Sequence, residues 1–233
     1  MHESSELKYL YARLDDNYMS TKADFAQEVC ASERLIEYMR TILDGWDMDA
    51  PTLDSRPDLQ TSVILFARNR QLFLSAYDLF MSGCYGSSLC LLRIMLENTN
   101  LMRLFQTNPK EAVSWTNGHL FDAHPTVKAA HESKPKLGEK YYKLYAQLSN
   151  YVHPHTAGWN ELFVPSSKGS GIQNMPTYRK AIAQEVWGIL LLLGLRTVTE
   201  FVGVFKSNMA MIKAIDGLGV DKEVSKILRK YSQ

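Results

Sequence analysis

Apolar positions recur every three to four residues along most of the chain, which is the period of an α-helix. Leu7, Leu10, Tyr11, Leu14 and Tyr18 open the pattern, and Phe25, Val29, Ile36, Met39 and Leu43 continue it. The spacing predicts a long amphipathic first helix, capped by Ser4 or Ser5 and broken near Ser20. The stripe stops in DGWDMDAPTLDSRP, residues 44–57, where two prolines, a glycine and four aspartates predict a linker. A helix capped by Asp58 is expected to run to about Ser82, stop at Gly83 and be followed by a second from about Tyr85 to Gln106. Asn108, Pro109 and Glu111 have the order of a helix start: cap residue, proline first, glutamate third. That helix is short, and Pro125 opens another to about Ser133. Residues 138–153 are amphipathic and end before Pro154, whose ring and missing N–H stop a helix.

The 22 residues 154–175 read as a loop, long enough to be of interest in a packed domain. From Pro176 a long helix is expected to about Ile215, apolar on every side at its middle, as at the centre of a bundle. A short basic helix over 221–230 closes the chain, and no stretch reads as a convincing strand. The expectation is an all-α, up-and-down helical bundle with long N- and C-terminal helices. It divides into an acidic N-terminal helix and linker, 1–57, and a helical bundle, 58–233.

Composition changes this picture in two places. Net charge is +1, so the whole chain is no polyanion magnet, but residues 1–58 hold 6 basic and 13 acidic side chains and the remainder 20 and 12. An acidic arm and a basic body attract each other within one chain or across a homodimer. The most apolar run, VWGILLLLGL at 186–195, has ten residues between Glu185 and Arg196, half of what a bilayer requires. No membrane partner is expected, and three cysteines without a CxxC pair suit a reducing, cytoplasmic setting.

Chemistry concentrates in YAQLSNYVHPH, residues 145–155. At 100° per residue, Tyr142, Tyr145, Ser149 and His153 fall within roughly 80° of one another, and Ser149 and His153 are neighbours on that face. A polar stripe contiguous with Leu148 and Val152 needs partners on another helix. The candidate partner is LLRIMLENTNLMRLF, where Arg93 and Glu97 stand four apart among leucine, isoleucine and methionine, with Asn98 and Asn100 adjacent. Lys136, Lys140 and Lys143, with Lys128 and Lys134, form a basic stretch beside it. With Tyr141, Tyr142 and Trp159 they can hold a nucleic-acid backbone and stack bases, or simply line a solvated face. The six histidines show no HExxH and no acidic cluster at ligand spacing, so no metal and no cofactor is expected.

The run AYDLFMSGCYGSSLCLLRIMLENTNLMRLF resembles the central hairpin of HEPN-like bacterial helical proteins, with a small residue at the turn and then Arg-x-x-x-Glu. YAQLSNYVHP resembles the same family's leucine-serine and valine-histidine-proline signature, and the two together cover about residues 59–155. The resemblance implies an all-α bundle, often dimeric, whose members include metal-independent ribonucleases of toxin and phage-defence systems. RNA, and an antitoxin or other defence component, are then the partners it implies. Those enzymes carry an arginine four to six residues before the histidine, whereas here Gln147, Leu148 and Ser149 precede His153. Arg93 is the candidate replacement cation.

In that chemistry His153 removes a proton from a ribose 2′-hydroxyl, Arg93 stabilises the phosphorane, Glu97 fixes Arg93, and Ser149 and Tyr145 orient the histidine or the phosphate. The alternative is a non-catalytic dimerisation or interaction module. There His153 satisfies its own helix end and the Arg93–Glu97 pair only locks the packing.

Overall fold

Gly83 turns the chain at the centre of the fold with φ +80, a conformation open to glycine at little cost. It joins α3 (Pro57–Met81) to α4 (Tyr85–Thr107), the long antiparallel pair expected from the sequence. The computed structural model describes residues 5–45, 56–152, 163–166, 169–172 and 175–204. Around the pair stand α1 (Ser5–Asp24), α2 (Ala26–Asp44), α5 (Pro109–Thr116), α6 (Ala123–Ala130), α7 (Pro135–Val152) and α8 (Lys180–Val204). The protein is an all-α bundle.

Several boundaries differ from the expected ones. The first helix breaks at Phe25, not near Ser20, because Phe25 turns out of helical geometry and buries its ring against Trp187. Asp58 does not cap α3. Pro57 takes the first helical position, Arg56 the cap, and the buried Asp58 carboxylate accepts from Arg56 Nη2 at 2.7 Å. The α5 start uses Asn108 differently from the expected cap: its amide donates to Glu111 Oε1 at 3.3 Å instead of its oxygen accepting from the backbone. Helix α8 starts at Lys180, not Pro176, because the preceding residues form a strap tied to α1. Buried Asn17 donates to the Pro176 carbonyl at 3.1 Å and accepts from the Tyr178 N–H at 2.9 Å. The same amide donates to Ser82 O at 2.9 Å, so one side chain fixes strap and hairpin turn together.

A small antiparallel ribbon, β1 (Phe163–Ser166) with β2 (Gly169–Ile172), lies within the stretch expected to be loop. The expected linker core, the end of the last long helix beyond residue 204 and the short basic helix lie outside the described residues.

The core is one cluster to which α2, α3, α4 and α8 all contribute. Trp187 of α8 is fully buried and packs on Phe80 at 4.4 Å between ring centroids, and Phe201 stacks on Phe66 at 4.1 Å. Burial of side chains this size stabilises by roughly 1.5–3 kcal/mol each. Gly194 lets α8 come this close: a Cβ there would lie 2.5 Å from both Leu35 Cδ2 and Phe73 Cε2. The segment Lys180–Gly203 is long and apolar enough to cross a bilayer, yet most of it is buried inside the bundle against α2, α3 and α4, as a core helix is.

Across this core runs a polar seam. Asn69 of α3 donates to the Met95 carbonyl at 3.2 Å, to Thr99 Oγ1 at 3.0 Å and to Thr197 Oγ1 at 3.2 Å, and accepts from Asn98 Nδ2 at 2.8 Å. These bonds fix the register of α3, α4 and α8 because none of the buried amides can be left unpaired without cost.

Candidate functional site

Helices α4 and α7 run antiparallel, so that Cys90 meets the Tyr151 carbonyl at 3.4 Å and Arg93 meets Tyr145. Arg93 Nη2 donates to the Tyr145 hydroxyl at 2.8 Å and lies 3.1 Å from Glu97 Oε1. Its guanidinium carbon lies 5.0 Å from the Tyr145 ring centroid, within cation–π range. Of the polar stripe expected on α7, Tyr145 meets the Arg93–Glu97 pair. The pair is only partly buried, with side-chain exposures of 18% and 33%.

The pair opens onto a cleft of about 410 Å³, within the usual size of a small-molecule site. Arg68, Trp115, His119 and Asp122 share its walls with Arg93, Glu97 and Tyr145. In the sequence His119 counted only among the histidines weighed and set aside as metal ligands. It reaches the cleft because Gly118 turns the chain after α5 at φ +86, and its ring stands edge-on to Phe121 at 4.8 Å. Two arginines face one glutamate and one aspartate there, so the cleft is charge-balanced, and Arg93 Nε is buried without a partner among the described residues.

The other expected site residues are placed as follows. The Ser149 hydroxyl donates to the Tyr145 carbonyl at 2.8 Å, the usual back-bond of a helical serine, so it is committed to its own helix. Leu148 is fully buried as the stripe required, but Val152 is exposed. His153 follows α7 directly and lies, with Trp159, outside the described residues. Lys136, Lys140 and Lys143 are exposed on α7 and do not line the cleft. Tyr142 is exposed as well, and its ring lies 4.4 Å from that of His124.

Asn98 and Asn100 turn away from the cleft. Asn98 joins the seam on Asn69, and Asn100 enters a second, deeper cluster that the sequence reading missed. Arg196 of α8, with 4% side-chain exposure, donates through Nη2 to Asn100 Oδ1 at 2.7 Å and to His131 Nε2 at 2.9 Å. Its guanidinium lies 3.3 Å from the centroid of the Tyr141 ring. Glu200, one turn on, lies 3.8 Å from Arg196 Nε and accepts from Arg103 Nη1 through both oxygens at 3.1 Å. Arg103 also donates to the Ala130 carbonyl at 2.8 Å, at the C-terminal end of α6, where a cation is favoured. Burial pulls the Arg196 guanidinium down to about 10. Burial first, and then the charge of Arg196, pulls His131 down to about 4, so its imidazole is neutral at neutral pH. The signal was available: Arg196 and Glu200 repeat the four-residue spacing of Arg93 and Glu97 in the most apolar helix of the chain.

These features define a class, an all-helical bundle with an arginine–glutamate–tyrosine cleft above a buried ionic cluster. Compared with family models, curated proteins and solved structures, the chain has no match.

Proposed function

We propose that the chain is a cytoplasmic, HEPN-like RNA-binding protein that cleaves RNA without metal at the Arg93 cleft. The observation that carries this reading is the position of Arg93. Its guanidinium is anchored by Tyr145 and Glu97 at the edge of an open cleft rather than sealed among leucines. A guanidinium held in this way retains donors for a phosphate oxygen and needs little reorganisation to use them. Glu97 neutralises part of that charge, so binding is modest in strength and falls with salt.

Cleavage in this reading is an in-line transfer. A histidine takes the 2′-hydroxyl proton, the 2′-oxygen bonds to phosphorus, the P–O5′ bond breaks with the leaving 5′-oxygen taking a proton from water, and Arg93 carries the charge of the phosphorane. His153, next in sequence after α7, is the histidine of the family-like signature, and His119 is the imidazole that lines the cleft. The test is cleavage of an oligoribonucleotide in EDTA. The wild type is expected to cut RNA but not its 2′-deoxy counterpart, and His153→Ala to lose about a hundredfold or more in rate with the melting temperature unchanged. Equal rates for His153→Ala and wild type would remove His153 from the chemistry, and loss of cleavage in His119→Ala would transfer the role.

A second reading has its own support. Ser149 is bonded to its own helix, and Arg93 and Glu97 pair within one helix, as expected of an interaction module whose polar groups only fix packing. Under that reading no RNA is bound or cut.

A further inference from the structure

We propose that α1 is a self-association surface, on which a second copy of this chain lays its own α1 antiparallel. The inference uses no residue of the Arg93 cleft and goes beyond the RNA reading. It begins with how little of α1 the bundle covers. Of its side chains only Asn17 and Thr21 are buried, both in its second half. From Ser5 to Asp16, roughly three turns, no side chain is buried. A helix of ~12 residues without a packed face is marginal in water, so this half of α1 is stabilised by a partner.

The exposed half carries a seam. Leu7, Tyr11, Leu14 and Tyr18 follow one another in steps of four, three and four, the alternation of a coiled coil. At 100° per residue they fall within roughly 60° of one another. Leu7, Tyr11 and Tyr18 are 44%, 55% and 37% exposed, and Leu14 is partly buried.

The symmetry of this pattern selects the occupant. Reversed end for end, the spacing maps onto itself. In an antiparallel pair Leu7 therefore meets Tyr18 of the second copy, and Tyr11 meets Leu14 of the second copy. Each layer sets a leucine against an aromatic ring. Lys8 and Asp15, seven residues apart, flank the seam on one side, and in an antiparallel pair like flanks face each other. Lys8 then stands about 3 Å, measured along the axis, from the level of Asp15 of the second copy, and the twofold axis repeats the pair. Both residues are exposed, and neither forms an ion pair among the described residues. The attachment of α1 suits this direction. It is tied to its own bundle through Asn17, in its second half, so antiparallel pairing sends the two bundles to opposite ends. Four layers are less than the ~1,200–2,000 Å² of a standard interface supplies, so the dimer forms in the micromolar range.

Sedimentation velocity of the full chain from about 1 to 500 μM tests this. A concentration-dependent shift from monomer to dimer is expected, half complete at tens of micromolar. Tyr11→Ala weakens the dimer about tenfold, whereas Tyr9→Ala, on the opposite face and 57% exposed, leaves it unchanged. Lys8→Glu and Asp15→Lys each weaken it about fivefold, and the double reversal restores it because both pairs re-form with their signs exchanged. All four positions are exposed, so the variants keep the fold. A chain that stays monomeric at about 500 μM, equal weakening by Tyr9→Ala and Tyr11→Ala, or a double reversal no tighter than the single ones would each overturn the proposal.

Discussion

Replacing Glu200 with glutamine lowers the free energy of unfolding by about 3–5 kcal/mol, the loss typical when one partner of a buried ion pair is removed. For a chain of this size the melting temperature falls by roughly 6–20 °C. The substitution keeps shape and volume and removes only the charge. Arg103 then loses the carboxylate that accepts from it twice at 3.1 Å, and Arg196, already depressed by burial, loses its only nearby anion among the described residues. The buried Arg196 guanidinium and the partly buried one of Arg103 are left with neutral partners, and neither can release its proton cheaply. Urea unfolding followed by circular dichroism measures the effect. A loss under about 1 kcal/mol would mean that water reaches the cluster and that the pair behaves as a surface pair does.

Acid weakens the fold in a window that belongs to His131. The folded value is about 4 and the ordinary value 6.5, so between these limits the unfolded chain binds the proton and the folded chain resists it. Stability is therefore full above about pH 6.5, declines as the pH falls toward 4 and levels below it, with a total loss of about 3 kcal/mol. The groups facing His131 are Arg196 and Glu200 from α8, Arg103 and Asn100 from α4, Tyr141 from α7 and Lys134 beyond α6. Three of the charged ones are cations, which deepens the depression. Asp24, hydrogen-bonded by Tyr178, and Glu37, by Arg40, are held below their ordinary values and add their own acid dependence at lower pH. His131→Gln keeps a side-chain acceptor for Arg196 and is expected to flatten the decline between pH 6.5 and 4. An unchanged slope in that variant would assign the window to another group.

How much of this could be read from the sequence depended on the range of the signal. Arg93 and Glu97 were visible because one helical turn joins them, and Tyr145 because it shares a stripe with its neighbours on α7. Arg196 and Glu200 have the same spacing, but Arg196 ends the run VWGILLLLGL and reads as the polar boundary of an apolar segment. Its burial depends on Asn100, His131 and Tyr141 arriving from three other elements, and no local pattern announces that. Asn17 is a similar case: a polar residue in an amphipathic stripe reads as solvated, yet tertiary contacts bury it and it ties the strap before α8 to the turn at Gly83. Ser149 shows the opposite error. Its position on the wheel was right, but a helical serine has a carbonyl four residues back always in reach, and that acceptor took its proton. His119 could not be found by periodicity because it sits in the turn after α5.

The claim beneath the functional account is that Arg93 is presented to the cleft as a phosphate-binding cation. Equilibrium binding of a labelled oligoribonucleotide across a salt series, by wild type and Arg93→Met, tests it most directly. The account predicts that wild type binds, and that the variant binds about tenfold or more weakly with its salt slope reduced by about 1. Unfolding free energy should meanwhile change by no more than about 1 kcal/mol, as for a partly exposed pair. Equal affinity and equal salt slope in the two proteins, or no RNA binding by the wild type at low salt, would contradict it.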